Sequence, residues 1–211
     1  PRRPDYAAQA VQAKKKSVRP AYGLAVDFSQ WNMPADVITP ERIAAWKGAG
    51  VSKVIVGAGY HDPAVQQIRA CAEADLVVEM YRFLFWGEPM EKQVEYALSI
   101  AADSGCKIDR LWLDCEDAVI WEAEEMWAKL IDAKSASTVP VGIYTRRSWW
   151  ERFMASTDIF RDLPLWYAHY DQIANFSDFE PFGGWLTPAM KQFAENVTLG
   201  DMAIDLNVFR A

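Results

Sequence analysis

Cysteine is scarce in this 211-residue chain and forms no pattern. Cys71, Cys106 and Cys115 make no CxxC pair and no zinc-ligand spacing, and an odd number cannot pair fully within one chain, so buried thiols are expected rather than a disulfide scaffold. Long apolar runs are missing too. None reaches the roughly 18 residues of a membrane span, and the N-terminus carries no apolar signal core, so a soluble chain without membrane insertion is expected. Histidine is limited to His61 and His169, each expected as a satisfied loop or rim residue. No GxSxG elbow, phosphate-binding Walker loop or HExxH helix is present, which removes the common serine-hydrolase, nucleotide and zinc-protease templates. Positive charge is also in deficit. The formal net charge of -7 argues against nucleic acid as a partner, because phosphate backbones are bound through clustered Lys and Arg.

The basic charge that exists is concentrated at one end. Residues 1 to 20, PRRPDYAAQAVQAKKKSVRP, hold six Lys or Arg against one acid, which leaves about -12 on the remainder. Residues 1-22 therefore read as a basic N-terminal arm or linker, either a solvated tail or a tether to a preceding module, and residues 23-211 as one domain. With 51% hydrophobic residues, that stretch is long enough for one large core.

From Gly23 onward, short β-rich runs alternate with amphipathic stretches. GLAVDFS, SKVIVGAGY, LVVEMYRFLF, DRLWLDCE, VPVGIYT, LPLWYAHY, KQFAEN and MAIDLNVF read as eight strands. Thr39 and Pro40 announce a helix through ERIAAWKGA with Gly50 beyond its end. Asp62 with Pro63, and Glu88 with Pro89, promise the same before AVQQIRACAEA and MEKQVEYALSIAADS. This rhythm predicts an α/β fold, an irregular barrel of about eight mainly parallel strands. Residues 171 to 190, rich in Asp, Phe, Gly and Pro, predict reduced helices in the C-terminal part.

The run LWLDCEDAV drives an apolar strand into three acids, Asp114, Glu116 and Asp117. Strand alternation puts Trp112, Asp114 and Glu116 on one face and Leu111, Leu113 and Cys115 on the other. The first strand repeats the design with Ala25, Asp27 and Ser29, and the last with Ala203, Asp205 and Asn207. In a parallel barrel the C-terminal strand ends gather at one rim, where Asp27, Asp114, Glu116 and Asp205 are expected to converge. Converged carboxylates either grip a hard cation or perform acid catalysis on a glycosidic bond, where crowding keeps a proton on one of them. No metal-binding loop accompanies them, so no metal and no cofactor are expected. The i, i+2 spacing leaves the retaining or inverting outcome open.

In this order and spacing, GLAVDFSQWN, VSKVIVGAGY, MYRFLF, LWLDCED, VPVGIYT, LPLWYAHY, KQFAEN and IDLNVF resemble glycoside hydrolase family 25, the lysozymes, across about residues 23 to 209. The resemblance implies a muramidase that cleaves the β-1,4 bond between N-acetylmuramic acid and N-acetylglucosamine in the glycan strands of peptidoglycan. It implies Glu116 as general acid, Asp114 as the partner that attacks the sugar or steadies its acetamido group, and Asp27 and Asp205 as supporting carboxylates. Tyr60, Tyr81, Tyr144, Trp166, Gln192 and Asn207 fall where the family lines its sugar groove. Gly57, Arg82 and Lys191 depart from the family pattern and are expected to alter the groove wall. The setting implied is extracellular, or delivery to the bacterial cell wall by a phage-encoded or secreted lysin. Rival readings are a chitinase-like or glucosaminidase-like glycosidase, and a wall-binding or phage structural module without turnover.

Overall fold

The computed structural model describes residues 22–28, 38–117 and 121–210. Residues 1–21 of the expected basic arm and Ser29 lie outside the described residues, whereas Tyr22 already belongs to the first strand. Eight strands close into one barrel in chain order: β1 (Tyr22–Phe28), β2 (Val51–Gly57), β3 (Val77–Phe83), β4 (Leu111–Asp114), β5 (Val141–Thr145), β6 (Leu165–Ala168), β7 (Met190–Thr198) and β8 (Ala203–Arg210). The helices are α1 (Pro40–Ala49), α2 (His61–Glu73), α3 (Met90–Ser104), α4 (Ala123–Ala136) and α5 (Arg147–Phe153). Among the described residues no helix follows α5, in line with the expected thinning of the C-terminal part. No helix there is long and apolar enough to cross a membrane.

Alternation along the strands divides the apolar residues into two cores. Ala25, Ile55, Trp112, Tyr144, Trp166 and Met190 fill the barrel interior. Residues of the opposite parity, Val26, Val54, Val56, Leu111, Leu113, Ile143, Leu165 and Val208, face outward into the larger core beneath the helices. The indole of Trp112 fits inside because its partner across the β4–β5 pair is Gly142. A Cβ at residue 142 would lie 2.4 Å from that ring. Below it, buried Glu79 accepts hydrogen bonds from Trp112 Nε1 at 2.6 Å and Lys53 Nζ at 2.7 Å, so the inward acid has a cation and a donor.

Strand direction corrects one expectation. β1 through β7 pair in parallel, but β8 runs antiparallel to both β7 and β1. The connection between β7 and β8 is too short for a parallel crossover, which needs a dozen or more residues. Asp205 therefore reaches the same rim as Asp27 from near the start of its strand, not from its C-terminal end.

Where a helix would cover β6 and β7, residues 169–189 form a loop that substitutes an aromatic cluster. Phe176, Phe182 and Trp185 are buried there, with ring contacts from Tyr167 to Phe179 at 5.0 Å, Phe182 to Trp185 at 5.5 Å and Trp185 to Trp150 at 4.8 Å. Lys191 lies on the outer face of β7 beneath this loop, 0% exposed, and donates to Asp171 and Asp178 at 2.7 Å each. His169, Asp171 and Asp178 are close enough to share a cation, and the Lys191 ammonium already bridges the two acids.

Helix α1 starts and stops as the sequence predicts, with Thr39 accepting from Arg42 N at 3.3 Å and Gly50 left-handed at φ 98. The two other expected caps are not used. α2 already begins at His61 with Tyr60 as its cap, and α3 is capped by Pro89, neither through a side chain. Pro63 fits inside the first turn of α2 because the N–H groups of a first turn have no partner within the helix. Cys71, Cys106 and Cys115 are all free thiols.

Candidate active site

The inward face of the barrel turns from apolar to acidic at the rim where the parallel strands end. Asp27, Asp114, Glu116 and Asp205 line one cavity of about 220 Å³ there, together with Tyr81, Tyr144, Trp166, Tyr170, Gln192 and Glu195. Asp27 and Asp114 are 5% and 4% exposed, so two carboxyls sit within the barrel mouth rather than in solvent.

Gln192 organises the cluster. Its Oε1 accepts from Tyr144 Oη at 2.6 Å and from Tyr170 Oη at 3.0 Å. With the oxygen so engaged, Nε2 faces the acids and donates to both oxygens of Asp27, at 3.1 and 3.0 Å, and to Asp205 at 3.1 Å. A second relay runs from Trp166 Nε1 to Asn207 Oδ1 at 2.8 Å, then from Asn207 Nδ2 to Asp27 at 2.6 Å. The backbone N–H of Asn196 donates to Asp205 at 2.7 Å. Asp27 and Asp205 are thus fixed by neutral donors. Asp114 is different: its buried Oδ1 has no hydrogen-bond partner among the described residues.

All four acids hold their protons more tightly than an ordinary carboxyl. Burial is the first cause each time, with the neighbouring Asp205 adding to the rise for Asp27, and Glu116 and then Asp27 adding to it for Asp114. Glu116 is raised by burial, pulled back by Arg146, and raised again to a lesser degree by Asp205 and Asp117. Like-charge crowding therefore acts behind desolvation, which corrects the order of causes expected from the sequence.

Other expectations are placed as follows. Tyr60 is 56% exposed at the start of α2 and does not line the acid cavity. Asn207 is fully buried and reaches the cavity only through Asp27. Arg82 and Lys191 leave the groove wall unaltered, because both point to the outside of the barrel: Arg82 donates to the Ala58 carbonyl at 2.8 Å, and Lys191 anchors the β6–β7 loop. Gly57 ends β2 opposite Tyr81. His61 is engaged with Asp62 and Asp103, and His169 with Asp178. Two cavity residues were missed by sequence reasoning. Tyr170 shares the parity of Trp166 and Ala168, so period-2 counting could have found it. Glu195 follows a register shift between Gln192 and Ala194 that reverses the alternation, and no sequence pattern marks that shift.

Comparison with known proteins gives a consistent outcome. A family model described as "Lys-1: Lysozyme-like protein 1" matches residues 20–193. "Probable GH family 25 lysozyme 5" of Dictyostelium discoideum is 35% identical over 152 residues, which cover 69% of this chain and 70% of that protein. In fold, the chain is similar to a bacterial lysozyme from Streptomyces coelicolor, with TM-score 0.69 and 20% identity over 90% of this chain and 92% of that one. It is equally similar to a family GH25 lysozyme from Aspergillus fumigatus, with TM-score 0.70 and 19% identity over 90% and 94%.

Proposed function

The chain belongs to the glycoside hydrolase family 25 lysozymes, and from that premise we propose that it cleaves the β-1,4 bond after N-acetylmuramic acid in peptidoglycan, with Glu116 as general acid. It is a peptidoglycan hydrolase by family. The observation that carries the residue assignment is the meeting of Asp27, Asp114, Glu116 and Asp205 around one cavity at the barrel mouth.

The four acids are not equivalent. Glu116 lies past the end of β4, is only partly buried and has a raised proton affinity, so it can present a proton to a leaving glycosidic oxygen. Asp114 lies two residues deeper on the same face. Its partnerless Oδ1 suits the N–H of the acetamido group on the sugar being cleaved. That donor would favour the ionised carboxylate, opposing the rise in proton affinity that burial causes, so that the group steadies positive charge at the anomeric carbon. Asp205, held by Gln192 and the Asn196 N–H, adds negative potential where that charge develops, while Asp27, its pKa pushed up to about 8 by burial, is fixed in place by Gln192 and Asn207. Tyr81, Tyr144, Trp166 and Tyr170 give the sugar an aromatic wall.

Substrate on the bacterial cell wall places the site of action outside the cytoplasm of the target cell. Mass spectrometry of the digest tests the bond assignment. New reducing ends bearing muramic acid are expected, and reducing ends bearing glucosamine instead would assign the protein to the glucosaminidase class.

A further inference from the structure

Beside the acid cavity the rim carries a larger hollow of about 460 Å³, between the start of α5 and the β6–β7 loop. Tyr167, Phe179 and Phe182 contribute aromatic surface to it, and charged groups of both signs ring it. One wall is rigidly built. Asp178 accepts from Lys191 Nζ at 2.7 Å and from Tyr167 Oη at 3.1 Å, while His169 Nδ1 lies 2.6 Å from it, so the wall is tied to a fully buried ammonium. From the opposite wall Arg147 pairs with Glu151 on its own helix and with Glu180 of the loop, tying the two walls together. Arg146 stands apart. It is exposed, lines the hollow, and its guanidinium makes no hydrogen bond or ion pair with any described residue, while its charge reaches Glu116 in the neighbouring cavity.

These features bear on what a bound strand brings with it. Peptidoglycan is a sugar strand with a short peptide branching from its muramic acids, and that peptide carries free carboxylates and, through its diamino acid, an amine. A strand lying across Asp114 and Glu116 must project such a branch along the rim. Neutral sugars have no use for an unpaired guanidinium, whereas a short peptide with charges of both signs matches the guanidinium, the mixed charges and the aromatic surface together. We propose that this hollow binds the peptide branch of the substrate, with Arg146 taking one of its carboxylates. The site rests on the peptidoglycan reading above and adds a second recognition element, one that reads peptide rather than sugar.

The test uses the whole chain and two preparations of the same glycan: strands with their peptides, and strands from which an amidase has removed them. Ser148→Trp fills the hollow from the exposed first turn of α5 without touching the acid cavity, and Arg146→Gln removes the guanidinium. The wild-type protein is expected to show a kcat/KM roughly three- to tenfold higher on peptide-bearing strands, the scale of one partly exposed charged contact. Both variants should lose that preference, and Ser148→Trp should keep its rate on bare strands. An equal loss on both preparations in Ser148→Trp would show that the hollow holds sugar, and no loss on either in both variants would show that it holds nothing; each result overturns the proposal. Titration of the released peptides, followed by calorimetry, reads the hollow without hydrolysis. Saturable binding that Ser148→Trp abolishes supports the site, and no binding to the wild-type protein contradicts it. Failure of the wild-type protein to cleave either preparation would instead strike the hydrolase reading, and the titration would still decide the peptide site.

Discussion

Asp27 and Asp205 face each other across the antiparallel β1–β8 pair, and a single amide nitrogen, Nε2 of Gln192, donates to both. A buried acid and a partly buried one in register would repel strongly if both were ionised, and this bridging donor helps them remain side by side. Gln192→Glu removes the donor and adds a third carboxyl. It should cost about 2–4 kcal/mol of stability at neutral pH, with most of the loss recovered near pH 4 as the carboxyls take up protons. Thermal melts of the variant at the two pH values check this, and a pH-independent loss would contradict it.

Asp114 gives the opposite sign. The folded protein raises its proton affinity while leaving Oδ1 without a partner, so the folded state binds a proton that the unfolded chain releases above about pH 4. Its contribution to stability is therefore complete below about pH 4 and is lost as pH rises through the folded-state value. Asp114→Asn has no such loss. It should be more stable than the wild-type protein by about 1–2 kcal/mol at pH 8, with the advantage shrinking toward pH 4, while cleavage falls by about 100-fold or more. Denaturant melts across pH, paired with rates, measure both effects.

Gly142 is fixed by the indole that crosses it. Gly142→Ala pushes a methyl into Trp112, whose own Nε1 is held by buried Glu79, so the ring cannot move without breaking that bond. The expected cost is about 1–3 kcal/mol. Activity should fall as well, because Asp114 and Glu116 follow Trp112 on the same face of β4. A melt indistinguishable from wild type would show that the barrel interior has slack at this layer.

Lys191→Met strands Asp171 and Asp178 beneath the β6–β7 loop. Removing one partner from such a cluster should cost about 2–4 kcal/mol, less than a fully enclosed pair because both acids keep some exposure. Tyr170 sits in the same loop and helps hold Gln192, so KM should rise more than kcat falls. Adding Asp171→Asn and Asp178→Asn should restore most of the stability. If the triple variant melts no higher than Lys191→Met, the ion cluster is not what holds the loop.

Much of this architecture was legible in the sequence because strand alternation is a strict code. The parity that put Trp112, Asp114 and Glu116 together, and Ala25 with Asp27, is the parity found in the barrel interior and its mouth. What escaped has identifiable causes. Helices α4 and α5 have Glu122 and Arg146 at their N-caps, neither making a side-chain cap, so no start signal marked them. The reversal of β8 was readable from the short β7–β8 connection, yet the regular β/α rhythm of the first half argued only for a mainly parallel barrel and did not single out the last strand. The acids converge all the same, because reversing a strand also reverses which of its ends meets the rim. The burial of Lys191 was hidden, since only tertiary structure shows that a loop replaces the missing helix and covers that face.

The central claim is that Glu116 delivers the proton. Release of reducing ends from purified peptidoglycan by Glu116→Gln, compared with the wild-type protein at equal folded concentration, tests it most directly. A rate lower by about 100- to 10,000-fold with an unchanged melting curve is the predicted result. A variant that cleaves as fast as the wild-type protein would contradict the account.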